Sequence, residues 1–183
     1  MLHLSTVEST TLELLKKLQQ LPVLCNTRLV GGTALALQLG HRKSVDLDFF
    51  GQINVDSQDL KEALRTLGTL TILNDSKNIH IYVLNEVKID IVNYTYPWLD
   101  DVVYKDGIRL ASPRDIAAMK ITAIEGRGTK KDFVDIYFLL KKYSLKNLLD
   151  FYSQKYPDRC PTGNWRANTT SSTSTWASSS RAQ

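Results

Sequence analysis

Leu12, Leu15, Leu18 and Leu21 recur at close to helical spacing, with Lys16, Lys17, Gln19 and Gln20 on the polar side. This predicts a first amphipathic helix, opened by a Ser5/Glu8 capping box and stopped by Pro22. A short apolar strand over 28–30 runs into Gly31-Gly32, and Thr33 is expected to cap a helix over 34–39 that stops at Gly40. Alternation over 45–50, ended by Gly51, predicts a strand. Asp56 or Ser57 caps the next helix, with Leu60, Leu64 and Leu67 on one face. Strands follow over 70–73, 79–84 and 87–93, the last two joined by a weak Asn85-Glu86 turn, then a short strand over 108–110. Ser112-Pro113-Arg114-Asp115 is a strong helix start: a cap, a proline in the first turn and an acid near the N-terminus. That helix runs to about 124 and Gly126-Arg127-Gly128 breaks it; further helices are predicted over 131–143 and 145–156.

The order predicts an α/β (α+β) chain with a mixed β-sheet flanked by helices and a helical C-terminal part. The divisions expected are an α/β core over 1–111, helices over 112–156 and a tail over 157–183. From Thr162 onward the chain has no Leu, Ile or Val and is rich in Ser, Thr, Ala and Asn, so disorder is expected there. Arg166 and Arg181 lie in that tail and account for half of the net charge of +4. The basicity of the remainder is therefore too small to indicate nucleic acid by itself.

Composition excludes several classes. No apolar run approaches a membrane span, and the N-terminus lacks a secretory pattern. Cys25 and Cys160 cannot build a disulfide framework or a zinc site. A cytoplasmic chain without membrane contact is expected.

The chemistry concentrates in LVGGTALALQLGHRKSVDLDFFG, residues 29–51. Two glycines between a strand and a helix leave backbone N–H groups open beside a positive helix end, which suits phosphate oxygens or is simply a tight turn. Asp46 and Asp48, two apart on a strand, share a face. They are either a solvated edge or, among Val45, Leu47, Phe49 and Phe50, a pair that requires a cation; hard oxygen donors beside phosphate suit Mg²⁺. Asp90, between Ile89 and Ile91, is a candidate third ligand or an exposed strand charge. Ser44 precedes Asp46 by two and can meet nucleotide or metal. Arg42, Lys43, Arg127, Lys130 and Lys131 are surface charges or contacts to nucleotide or RNA. His41 has no assigned role.

The glycine turn, the Asp-x-Asp and the later strand Asp resemble the polymerase-β-like nucleotidyltransferase superfamily. The strings GGTALALQLGHRKSVDLDFF, SPRDIAAMKITAI and GRGTKKDFVDIYFLL, in that order, resemble the AbiEii/AbiGii toxin family of nucleotidyltransferases from about residue 10 to about 155. The resemblance implies a nucleotidyltransferase-like fold and a bacterial enzyme moving a nucleotide from an NTP to an acceptor hydroxyl, on RNA, including a tRNA end, or on protein. It implies that Gly31, Gly32 and Thr33 hold the triphosphate. Asp46, Asp48 and Asp90 would bind Mg²⁺, and Lys120 and Asp132 would complete the catalytic set. Without the family, Lys120 is equally a surface lysine, and Asp132 and Asp135 are equally helix N-terminal charges. The family also implies a toxin role beside a cognate antitoxin, or in phage defence. Many members continue with more C-terminal helices where this chain turns to Ser and Thr, so a catalytically impaired nucleotide- or partner-binding module is the competing expectation.

Overall fold

The computed structural model describes residues 1–159. Helices α1 (Ser9–Gln20), α2 (Gly31–Leu39), α3 (Ser57–Arg65), α4 (Pro113–Gly126), α5 (Lys130–Leu140) and α6 (Leu145–Lys155) surround strands β1 (Thr27–Leu29), β2 (Leu47–Gly51), β3 (Leu70–Asp75), β4 (Ile79–Leu84), β5 (Val87–Asn93), β6 (Val103–Lys105) and β7 (Ile108–Leu110). The strands form one mixed sheet in the order β3-β4-β5-β2-β1-β7-β6. β2 runs parallel to β5 and β1 parallel to β7, while the other neighbours are antiparallel.

Alternation along the strands separates the two sheet faces. His80, Tyr82, Ile89, Ile91, Leu47, Phe49, Leu29 and Leu110 lie in register on one face and are buried. α3 reaches this face: its Ser57 and Lys61 share the Asp75 carboxylate with His80 and Tyr82. The opposite face carries Asp48, Phe50, Asp90 and Val92, which with α4 line an open cleft. α2 is buried on nearly all sides from Thr33 to Leu37, which accounts for its small Ala34 and Ala36.

Several boundaries differ from the sequence-based expectation. α1 starts at Ser9 with Glu8 as its uncapped N-cap, and Ser5 sits in a 3-10 turn, Leu4–Thr6. The reason is tertiary: His3 N donates to the Leu37 carbonyl and Ser44 N donates to that of Thr6, fixing this segment to α2 and the following loop. α2 begins at Gly31, so Thr33 is not its cap. β2 begins at Leu47 and leaves Val45 and Asp46 in a loop. β6 was absent from the expectation, although Asp106-Gly107 (φ 52° and 77°) is a typical hairpin turn that pairs it with β7. Asn85 and Glu86 both adopt positive φ, so the weak turn does form. α5 ends at Leu140 rather than 143. Pro157–Arg159 is a 3-10 turn, and the disorder expected of the remaining tail lies outside the described residues.

A buried ion pair joins the C-terminal helices to the loop before β6. The Asp115 carboxylate accepts from Lys155 Nζ (2.7 Å), Ser112 Oγ (2.9 Å), Leu99 N (2.9 Å) and Asp100 N (3.3 Å). Lys155 also donates to the Pro97 carbonyl (2.9 Å) and lies over Trp98 (4.4 Å). Both residues are fully buried. Asp115→Ala leaves the Lys155 ammonium buried without its partner, so the loss should be about 3–5 kcal/mol, read as a lower midpoint in urea denaturation.

Candidate active site

The parallel pairing of β2 with β5 sets Asp48 directly beside Asp90. Asp46 stands one residue before β2, two positions before Asp48. Burial pushes the Asp48 carboxyl up to about 6, and repulsion from Asp90 and Asp46 adds to it. No hydrogen-bond donor among the described residues relieves that carboxylate. Asp90 instead meets Lys88 Nζ (2.6 Å), and Asp46 meets Lys131 Nζ (3.2 Å).

The two glycines are required by these side chains. Gly31 has φ 68°, and a Cβ there would collide with the Asp48 carboxylate. A Cβ on Gly32 would collide with the Arg42 guanidinium and stand 3.4 Å from Ser44 Oγ. The N–H groups of Gly31, Gly32 and Thr33 open α2 and donate to no acceptor among the described residues, as an anion-binding helix end requires. The Thr33 side chain departs from its expected role. It is fully buried, donates to the Asp46 carbonyl and pairs with the Ser44 hydroxyl (2.9 Å), so it shapes the loop and only its N–H is open to a phosphate.

Lys120 lies in the recess, while Asp132 lies behind it. Lys120 is 5% exposed and clamped between Asp132 Oδ1 (2.9 Å) and Asp135 Oδ2 (2.8 Å). Asp132 forms a reciprocal cap with Thr129 at the start of α5 and also accepts from Arg127 Nε (3.1 Å). It does not line the recess; its carboxylate bonds Lys120 and Arg127, which do. Asp135 is a second hub of the same kind, accepting from Arg42 Nε (2.6 Å), His41 Nε2 (2.7 Å) and Lys120 (2.8 Å). His41 therefore gains a structural role. Burial alone would raise both carboxyls. Arg127, Thr129 and Lys120 hold Asp132 well below the usual range, and His41, Arg42 and Lys120 do so for Asp135. Hydrogen bonding to Asp135 in turn raises the Arg42 guanidinium.

These groups enclose a recess of about 230 Å³ lined by Asp46, Asp48, Asp90, Ser44, Gly31, Gly32 and the cations Arg42, Lys88, Lys120, Arg127 and Lys131. It continues into a cleft of about 750 Å³ through Gly31, Asp48, Asp90, Lys120 and Arg127. Phe50, Tyr94, Tyr96, Met119 and Tyr156 line that cleft, with Arg159 at its edge. The Tyr94 and Tyr156 hydroxyls bond at 2.8 Å, and Tyr96 packs edge-on against Tyr156 (4.8 Å). The aromatic wall was not anticipated; the only sequence signal was Tyr94-x-Tyr96-x-Trp98 just after a predicted strand.

The residues fit a hard divalent cation in chemistry. Asp48 and Asp90 are adjacent oxygen donors whose repulsion a cation would relieve, and phosphate oxygens are needed to complete the shell. Among the described residues no three His, Cys, Asp or Glu side chains already converge as a ready cage.

The raised Asp48 carboxyl gives a signed prediction. The folded chain holds this proton up to about 6, whereas the unfolded chain loses it near 3.8. The folded state thus binds more protons in that window, and stability falls as pH rises through it. Without divalent cation, Asp48→Asn should stabilise the fold at about pH 8, on the order of 2 kcal/mol, and change little at about pH 4. Urea denaturation at the two pH values reads this; equal effects at both would remove the charge explanation.

The family model for nucleotidyl transferase AbiEii toxin, type IV TA system, matches residues 13–173. An uncharacterized protein of Aquifex aeolicus (strain VF5) is 37% identical over 150 residues, covering 79% of this chain and 73% of that protein. Among solved structures, JHP933 from Helicobacter pylori is similar at a TM-score of 0.53 and 22% identity, over 83% of this chain and 81% of that one. ANT(2")-Ia in complex with adenylyl-2"-tobramycin is similar at a TM-score of 0.60 and 12% identity, over 82% and 99% respectively. Those two likenesses show the shared fold. No helix among the described residues is long and apolar enough to cross a membrane. With its glycine turn, carboxylate pair and clamped lysine in one recess, the chain belongs to the AbiEii nucleotidyl transferase toxin family of type IV TA systems.

Proposed function

We propose that this chain transfers a nucleotidyl group from an NTP to an acceptor hydroxyl, with Mg²⁺ as cofactor, and acts as the toxin of a cytoplasmic bacterial toxin–antitoxin or phage-defence pair. The observation that carries this reading is the recess itself. Open N–H groups at the start of α2 face a carboxylate pair, with five cationic side chains lining the same space. Such a site suits the charge of a triphosphate, and the aromatic cleft beside it suits a nucleobase.

The triphosphate rests its oxygens on the N–H groups of Gly31, Gly32 and Thr33. Arg42, Lys120 and Arg127, pre-positioned by Asp132 and Asp135, neutralise the charge that develops on the leaving phosphates. Tyr94, Tyr96 and Met119 receive the base, which keeps the α-phosphorus over Asp48 and Asp90. Asp46, Asp48 and Asp90 would hold Mg²⁺, which when bound supplies Lewis-acid neutralisation of phosphate charge. The acceptor oxygen forms a bond to the α-phosphorus, the bond from that phosphorus to the bridging oxygen breaks, and pyrophosphate leaves. The acceptor proton passes to Asp90, which lines both the recess and the cleft. RNA, including a tRNA end, is the acceptor class we favour, and a protein hydroxyl is the second.

Incubation of the chain with each α-³²P-labelled NTP, Mg²⁺ and either total tRNA or cell protein tests the reading. Label should enter one acceptor fraction, and Asp48→Asn should lower incorporation by about 10³-fold or more. Induced expression of the wild-type chain should arrest bacterial growth, while Asp48→Asn should not. Saturable NTP binding with no incorporation into either fraction would instead mean a binding module.

A further inference from the structure

The cations of the recess are held in two different ways. Arg42, Lys120 and Arg127 are bonded to Asp132 and Asp135, carboxylates that are fully buried and do not line the recess. Their positions are set by partners that a ligand cannot take. Lys88 and Lys131 are bonded instead to Asp90 and Asp46, two of the carboxylates that would hold a divalent cation. Their side chains are 42% and 57% exposed, and their partners are also open to solvent.

We propose that Lys88 and Lys131 are exchangeable counter-ions. They neutralise Asp90 and Asp46 in the free protein, leave when those carboxylates take a divalent cation, and then turn to the triphosphate. This inference rests on the proposed nucleotidyl transfer and names two residues that act in it.

The energetics separate the two sets. An exposed ion pair contributes about 0–1 kcal/mol, so releasing Lys88 or Lys131 costs little. Breaking the buried pair of Lys120 with Asp132 costs several-fold more, which keeps Lys120 in place, while Arg127, itself 62% exposed, is held by two bonds to the buried Asp132. Geometry permits the exchange. Lys88 lies two residues before Asp90 on β5, on the same sheet face, and Lys131 lies in the first turn of α5. Both line the recess beside Gly31, Gly32 and Arg42. A lysine ammonium on a four-carbon stem can change partners by rotation alone, unlike the planar fork of arginine. Once freed, the two ammoniums stand beside the phosphate oxygens without a carboxylate partner. The lysines would thus compete with the cation and cooperate with the triphosphate.

Opposite signs in two measurements test this. Lys88→Met and Lys131→Met keep the apolar stem and remove the charge, and thermal unfolding checks that both variants fold. Without nucleotide, each should bind Mn²⁺, followed by its EPR signal, about two- to fivefold more tightly than the wild type. Each should also bind inorganic triphosphate in saturating Ca²⁺, measured by calorimetry, about tenfold more weakly. Unchanged or weaker Mn²⁺ binding in both methionine variants, or unchanged triphosphate affinity, overturns the exchange. If the wild type and Asp48→Asn bind Mn²⁺ equally, the metal site itself is wrong and both proposals fall.

Discussion

The pairing of β2 with β5 places Asp48 beside Asp90 in register, with Asp46 two residues away, and the fold must offset that repulsion. Much of the surrounding structure is built around this constraint. Gly31 is needed because the Asp48 carboxylate stands where its Cβ would be. The same glycine opens α2, so the acids and the open helix end face one another across the recess. Concentrated negative charge beside unsatisfied N–H groups is a poor arrangement for stability alone. Under the proposed function, a divalent cation and a polyanion arriving together would offset it.

The helical C-terminal part supplies the balancing charge. α4 contributes Lys120, the α4–α5 connection contributes Arg127, and α5 contributes Asp132, Asp135 and Lys131. Burying Asp132 and Asp135 fixes the guanidiniums and the Lys120 ammonium in direction, so no reorganisation is required when substrate charge appears. Asp115 and Lys155 hold α4 and α6 to the loop before β6, through Leu99, Asp100 and Pro97. That anchor also packs on Trp98, whose ring meets Tyr94 at 5.3 Å, and Tyr94 lines the cleft, so the buried pair and the cleft wall share one set of contacts.

Legibility in the sequence followed the range of the forces involved. The strands over 79–84, 87–93 and 108–110 were read to the residue because alternation is local and strong. The Ser112 cap was equally legible, since cap, proline and acid are near neighbours. Ser5 looked like a cap and is not, because His3 and Thr6 bond to residues more than thirty positions away. Thr33 looked like a cap and is not, because α2 begins at Gly31 and the Thr33 hydroxyl is taken by Ser44 and the Asp46 carbonyl.

The sequence by itself determined the α/β class, the Gly-Gly turn, the Asp-x-Asp and the lysine helix, because each depends on neighbours within a few positions. Which charges stay fixed and which can exchange was decided only by tertiary structure. Asp132 and Asp135 are three apart on one helix and look alike in the chain. Only packing shows Asp132 turned to its own cap and Arg127, and Asp135 turned to His41 and Arg42 from the loop after α2. Lys88, Lys120 and Lys131 are likewise the same residue type, and burial alone makes one a fixed member of the site and leaves the other two at its open edge. Burial depends on the whole fold, so no local pattern of residues could have stated it.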